Sequence, residues 1–197
     1  MALTKVQADG INLADTFAFT GTVSGSGLNL LLNATISSAV SEYDISSTYI
    51  NSTYDTYWLQ ASLLPATDGA NAYARVFVGG AVQTGSIYAY ETAGRDISGY
   101  TGSNATSIFQ FNQDGCGNAT GEGMNLQLLM QNVNSTTRPF IVEGGSNTYT
   151  TSGNHKTNGI GGTLIVANAS NVVNGFRLYF NSGNIASGTV QLYGLRK

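Results

Sequence analysis

Apolar residues in this chain recur at every second position in short runs, and Gly, Asn and Ser interrupt each run before it can lengthen. A period of two places alternate side chains on opposite faces of a strand, whereas a helix needs apolar residues every three to four positions. Runs of this kind predict strands over 16–23, 28–36, 57–64, 72–78, 86–90, 107–111, 126–131, 140–143, 163–167, 176–180 and 189–193. Only 125–133 offers a helical alternative, because Leu126, Leu129, Met130 and Val133 also fit helical spacing. Gly123 precedes that segment and the segment is short, so a strand is favoured. With no long helical pattern to cover a parallel sheet, the expected fold is all-β: an antiparallel, jelly-roll-like β-sandwich of about ten strands.

Composition supports this reading. Charged residues make up 10% of the 197, well below the roughly 25% of ordinary soluble domains. Gly, Asn, Ser and Thr solvate the surface instead, and these residues favour turns and weaken helices. The apolar fraction of 42% is enough for a packed core. No repeat of about 20–50 residues is visible, which argues against a propeller or solenoid. The Gly/Ser-rich stretch over 21–27 divides an N-terminal arm, 1–25, from a β-sandwich module, 26–197.

The closing segment reads as a hairpin. Phe176, Leu178 and Phe180 share one face, and Val190 and Leu192 match them on the next strand. Asn174-Gly175 is a type I′ turn signal. Tyr179 and Tyr193 then fall on the outer face beside Arg177 and Gln191, and Tyr73 and Phe77 share a face with Arg75. Aromatic residues on both faces of a strand, mixed with Arg, are interface composition. Tyr179, Tyr193 and Arg177 are therefore candidate subunit contacts, the alternative being amphipathic surface residues.

Chemistry finds little support. The eight basic residues are scattered and the net charge is −3, which argues against nucleic acid and anionic membrane partners. No stretch is long and apolar enough to span a bilayer, and the first residues lack a signal peptide's apolar region, so synthesis and folding in a cytosol are expected. The six Asn-x-Ser/Thr triplets, at Asn33, Asn51, Asn104, Asn118, Asn134 and Asn168, are then not glycosylation acceptors. Cys116 stands alone and reads as a small loop residue. The single histidine, His155, reads as an exposed loop residue. Among the acids, Glu42 lies near Asp44 and Glu122 could meet Glu143 in space, but neither spacing is diagnostic of a hydrolytic pair. Asp9, Asp68 and Asp114 precede Gly and read as turn residues. No zinc or calcium ligand pattern is present, and Gly159-Ile160-Gly161-Gly162 reads as a turn leading into a strand rather than a phosphate loop. No cofactor or metal is expected.

Binding needs less machinery. Tyr88 and Tyr90 share a face, and Tyr100 follows in a Gly/Ser/Asn-rich loop; the three are candidate glycan or subunit contacts. The alternative is that they pack within a sheet. Trp58 is favoured as a core anchor over a sugar platform.

Both ends of the chain carry a resemblance. Leu3-Thr4-Lys5-Val6, followed by Asp9-Gly10-Ile11-Asn12-Leu13-Ala14-Asp15-Thr16-Phe17-Ala18-Phe19-Thr20-Gly21-Thr22-Val23, resembles the opening of small structural proteins of marine bacteriophages infecting cyanobacteria and pelagic bacteria. Ser182-Gly183-Asn184-Ile185-Ala186-Ser187-Gly188 with Leu192-Tyr193-Gly194 is similar to their closing segment, and Ser52-Thr53-Tyr54-Asp55-Thr56-Tyr57 to a recurring central one. The matches cover about a third of the chain; the middle, 93–152, is not part of them. The resemblance implies a non-catalytic virion protein, tail-fibre-like or host-receptor-binding, or a capsid decoration (cement or head-fibre) protein. A polysaccharide depolymerase is the weakest of the three. It also implies a homotrimer, neighbouring virion proteins of tail or capsid as partners, and a host surface glycan as a further one. The arm would attach the protein to the particle through Leu3, Val6, Ile11, Leu13, Phe17 and Phe19.

Overall fold

The alternating runs form thirteen β-strands in the computed structural model, which describes residues 27–94 and 100–195, with the backbone alone over 100–105. Eight strands build one antiparallel sheet: β1 (Leu28–Ile36), β3 (Thr56–Pro65), β6 (Tyr88–Gly94), β7 (Tyr100–Thr106), β9 (Gly123–Gln131), β10 (Ile141–Tyr149), β11 (His155–Leu164) and β13 (Ile185–Leu195). Their spatial order is β1-β13-β3-β9-β10-β11-β6-β7. Facing it is a smaller sheet in the order β2-β12-β4-β5, made of β2 (Glu42–Ile45), β12 (Val173–Phe180), β4 (Ala72–Val78) and β5 (Ala81–Val82), with β8 (Phe109–Gln110) also paired to β4. The protein is thus an all-β sandwich, and the chain crosses repeatedly between its layers in jelly-roll-like fashion. The segment 125–133, with its helical alternative, is strand.

Alternation decides what each strand buries. In β3, Tyr57, Leu59, Ala61 and Leu63 point inward, while Trp58, Gln60 and Ser62 point outward. In β9, Leu126, Leu128 and Met130 are buried and Asn125 and Gln127 exposed. These inward rows meet Ala72, Ala74 and Val76 of β4 and Phe176, Leu178 and Phe180 of β12 across the interior. An aromatic chain runs through the middle. Phe111 stacks on Phe176 at 6.5 Å between ring centroids, Phe176 meets Phe140 at 6.5 Å, Phe140 meets Phe109 at 6.2 Å, and Phe109 takes Tyr88 edge-on at 4.8 Å. Edge and offset contacts of this kind add to the burial energy of the rings.

The closing segment is not a hairpin. β12 pairs with β2 and β4 in the small sheet, and β13 with β1 and β3 in the large one. Phe176, Leu178, Phe180, Val190 and Leu192 all reach the core, but from opposite layers. The crossing is pinned by Asn181, whose N–H donates to Asn71 O at 2.9 Å while its side-chain oxygen accepts the Asn71 N–H at 2.8 Å. Gly183, at φ 70°, turns the chain where a side chain would be strained. Asn174-Gly175 is not a turn; it sits at a register shift inside β12, and a Cβ on Gly175 would press on the Phe77 ring and Ile45 O.

The Gly159–Gly162 run is likewise mid-strand. It lies in β11 opposite Gly145 and its neighbours, and Gly162 lets Phe109 settle where a Cβ would approach the ring to 2.8 Å. The predicted strand over 163–167 begins as the end of β11 and gives way to a 3-10 turn over Val166–Asn168. The predicted strand over 16–23, the arm, and its residues Leu3, Val6, Ile11, Leu13, Phe17 and Phe19 lie outside the described residues.

Candidate functional site

Tyr88 is withdrawn from any surface role by its position. It is fully buried, and its hydroxyl accepts the Val76 N–H at 3.1 Å and donates to Gln83 O at 2.7 Å. One side chain on the large sheet thereby ties down the backbone of the small one. Burial pushes its phenol up to about 12. Tyr90 shares that inward face; its hydroxyl donates to Gln110 Oε1 at 3.1 Å, and burial raises its pKa. The reading of Tyr88 and Tyr90 as residues packed within a sheet is the one their positions match. Tyr100 lies on β7, and its side chain is outside what is described.

Tyr179, Arg177 and Tyr193 do not form one patch, because β12 and β13 lie in different layers and their outer faces look in opposite directions. On the small sheet, Arg177 stands directly opposite Arg75 in register, a like-charge pairing that needs relief. The relief is local. Arg177 forms two hydrogen bonds of 2.7 Å to Asp44, an ion pair of 2.8 Å to Glu42, and lies over the Phe77 ring. Arg75 lies over the Tyr179 ring and donates from Nε to Ser107 O at 3.1 Å. Tyr179 meets Tyr73 edge-on. The hydrogen bonds to Asp44 push the Arg177 guanidinium further up, against the opposing effect of burial. This face is occupied by its own interactions.

The other chemistry candidates are also accounted for. Glu42 and Asp44 are committed to Arg177. Glu122 accepts the Ala119 N–H and Glu143 the Gln131 side-chain amide; β-sheet register separates the two acids by about 20 Å. Cys116 is buried and its thiol is pushed up to about 12 by burial, then by Glu122 and Asp68, which leaves it protonated and unreactive at neutral pH. His155 is exposed at the end of β11, against the Tyr149 ring. Among the described residues no group of three or more His, Cys, Asp or Glu side chains converges to hold a metal ion.

The surface that stands out is the outer face of the large sheet, on β1, β13, β3 and β9. These four neighbouring strands contain no Asp, Glu, Lys or Arg. Register aligns their outward residues in rows. One row runs Leu30, Tyr193, Trp58, Leu129. Trp58 is not a core anchor; it lies on the outer face, its ring 5.8 Å from that of Tyr193 and tilted by 35°. The neighbouring row runs Asn33, Gln191, Gln60, Gln127 and continues onto bare backbone at Gly145 and Gly159. A third runs Thr35, Thr189, Ser62, Asn125, Asn147, Thr157.

Trp58 was legible in the sequence. The alternation that buries Tyr57, Leu59 and Ala61 puts Trp58 on the face of Gln60 and Ser62. Tryptophan's large apolar ring favours burial in general, but here the local alternation decides its face. Comparison with known proteins adds no identity: no family model matches the chain, and no curated protein is significantly similar to it.

Proposed function

We propose that this chain is a non-catalytic structural protein of a bacteriophage particle, displayed on the virion surface as a homotrimer and acting as a tail-fibre-like or host-receptor-binding module. The observation that carries the recognition half of this reading is the charge-free outer face of β1, β13, β3 and β9, an ordered field of amides, hydroxyls and two aromatic rings. The virion half rests on the resemblance of the two chain ends. An end of the sandwich supports self-association: Val166 is 92% exposed beside an apolar depression of about 650 Å³ lined by Ala89, Pro139, Leu164 and Ile165. Apolar surface left open in this way favours a covering partner. Residues 1–25 attach the module to its neighbour in the particle.

A capsid decoration protein is the second reading, favoured by the β-sandwich alone providing no shaft among the described residues. A depolymerase is disfavoured because Glu42, Asp44, Glu122 and Glu143 all have structural partners and do not converge in facing pairs across a cleft.

The test is quantitative mass spectrometry of purified particles, with immunogold labelling to locate the chain. A few copies at the tail support the receptor-binding reading, and hundreds over the shell support decoration. Absence of the chain from particles overturns both. Deleting residues 1–25 should abolish incorporation while leaving the sandwich folded; incorporation of the truncated protein would contradict the arm's role.

A further inference from the structure

We infer that the outer face of the large sheet is a binding site for an uncharged, linear oligosaccharide, with Trp58 and Tyr193 as the stacking platform. The inference deepens the recognition half of the function proposed above. Three properties of the face combine to select this ligand.

The first is charge. With no ionic side chain on β1, β13, β3 or β9, and with Glu143 of neighbouring β10 bonded to Gln131, these strands offer no cationic group to phosphate, sulfate or carboxylate, which excludes the usual anchors of nucleic acids and anionic polymers. The second is hydrogen-bonding capacity. Each Asn or Gln side chain presents both donors and an acceptor, the complement of a hydroxyl that can do either. No side-chain hydrogen bond among the described residues engages Gln60, Ser62, Asn125 or Gln127, so their capacity is available to a ligand. Gln191 makes one such bond, donating to Asn33 Oδ1 at 3.2 Å, which holds two members of the row in line. The third is shape. A shallow depression of about 240 Å³ lies over Gln60, Ser62, Asn125, Gln127, Thr189 and Gln191. Ser62 and Asn125 also line a neighbouring hollow of about 420 Å³ that reaches the 119–123 loop, where Glu122 lines it and accepts the Ala119 N–H.

The aromatic row lies one outward position along β13, β3 and β9 from the amide row, where ring faces can pack against the apolar face of a sugar ring. Beyond β9 the amide row continues onto glycine. Gly145 and Gly159 continue the amide row without side chains, and a Cβ added at Gly159 would meet nothing closer than 4.0 Å. From Asn33 on β1 to Gly159 on β11 the row crosses five strand spacings, about 24 Å. That length fits an extended oligosaccharide rather than a single sugar. A second copy of the chain, which carries the same face, is the competing occupant, and dilution separates the two.

Trp58 is the sole tryptophan, so the intact protein carries its own reporter. The full-length chain should be titrated with neutral hexasaccharides of glucose, mannose and galactose, and with a sialylated oligosaccharide as the charged comparison. Trp58 emission should shift and saturate with at least one neutral ligand and not with the sialylated one. By calorimetry, Trp58→Ala, Gln127→Ala and Gly159→Arg should each weaken that binding about tenfold or more, the last by covering the end of the amide row without removing a binding group. No shift with any neutral hexasaccharide at millimolar concentration overturns the site. So does preference for the charged ligand, or affinity unaltered in all three variants. A Trp58 emission change on simple dilution would assign the face to a second copy instead. Glycan binding in a chain absent from purified particles would leave this site standing and overturn the virion reading, while a chain present in particles but blind to neutral glycans would do the reverse.

Discussion

The two ends of the large sheet are stabilised in different ways. At the β1–β13–β3–β9 end the interior is hydrocarbon: Leu59, Leu63, Leu126, Leu128, Val190 and Leu192 face Phe176, Leu178 and Phe180. At the β10–β11–β6 end much of the buried surface is polar, with Thr92, Gln110, Asn112, Ser146, Thr148 and Asn158 all inside. There the extended segment 109–114 covers the sheet beyond the edge of β4, and side chains satisfy its backbone. Thr92 Oγ1 donates to Gln110 O and Ser146 Oγ to Phe111 O, both at 2.6 Å, while Gln110 Nε2 donates to Asn112 O at 2.7 Å. Asn112 in turn accepts the Ala72 N–H at 2.8 Å. The apolar end gains stability roughly in proportion to area removed from water. The polar end gains little net energy from each bond and loses much when one partner is left unmet. The first tolerates changes of shape poorly; the second tolerates changes of polarity poorly.

This contrast can be broken by substitution. The largest effect is expected for Phe176→Ala, where the aromatic chain links the two ends: a loss of about 3–5 kcal/mol in denaturant unfolding. Tyr88→Phe keeps the ring and its packing on Phe109 but strips the Val76 N–H and Gln83 carbonyl of their partner, at about 1–3 kcal/mol. That difference should narrow at high pH. The buried phenol holds its proton to about 12, whereas in the unfolded chain it ionises near its ordinary 10.0, so its contribution is complete below pH 10 and is lost as pH rises from 10 to 12. Unfolding curves of both proteins across that window test the sign. Asn112→Ala should cost about 1–2 kcal/mol by freeing the Ala72 N–H. The smallest effect is expected at Thr148, whose buried hydroxyl has no partner among the described residues. Thr148→Val should leave stability unchanged or raise it by up to about 1 kcal/mol. A marked loss there would contradict the account of the polar end.

The same contrast explains what could be read beforehand. β1 and β4 match the spans predicted from alternation, 28–36 and 72–78, because their inward residues are apolar. The first half of β11, His155-Lys156-Thr157-Asn158-Gly159, gives no alternation signal because it is a strand with a buried Asn and no apolar row. β2 carries no such signal for a related reason, since Glu42 and Asp44 face outward to hold Arg177. Alternation fixes which face of a strand is buried but not which layer it joins. A hairpin and a crossing both bury Phe176, Leu178, Val190 and Leu192, so the crossing at 181–184 depended on Asn71–Asn181 and Val40–Ile185 pairings far apart in sequence. The candidate site was hidden by that ambiguity too, since its rows are assembled from four strands distant along the chain.

The most direct test of the central claim, that the charge-free face is the displayed working surface, is the orientation of this chain in a cryo-electron microscopy map of the purified particle. The account predicts that the Trp58–Tyr193 row and the Gln60–Gln127 row face open solvent, with contacts to neighbouring copies made elsewhere. A map in which that face is packed against another protein would contradict it.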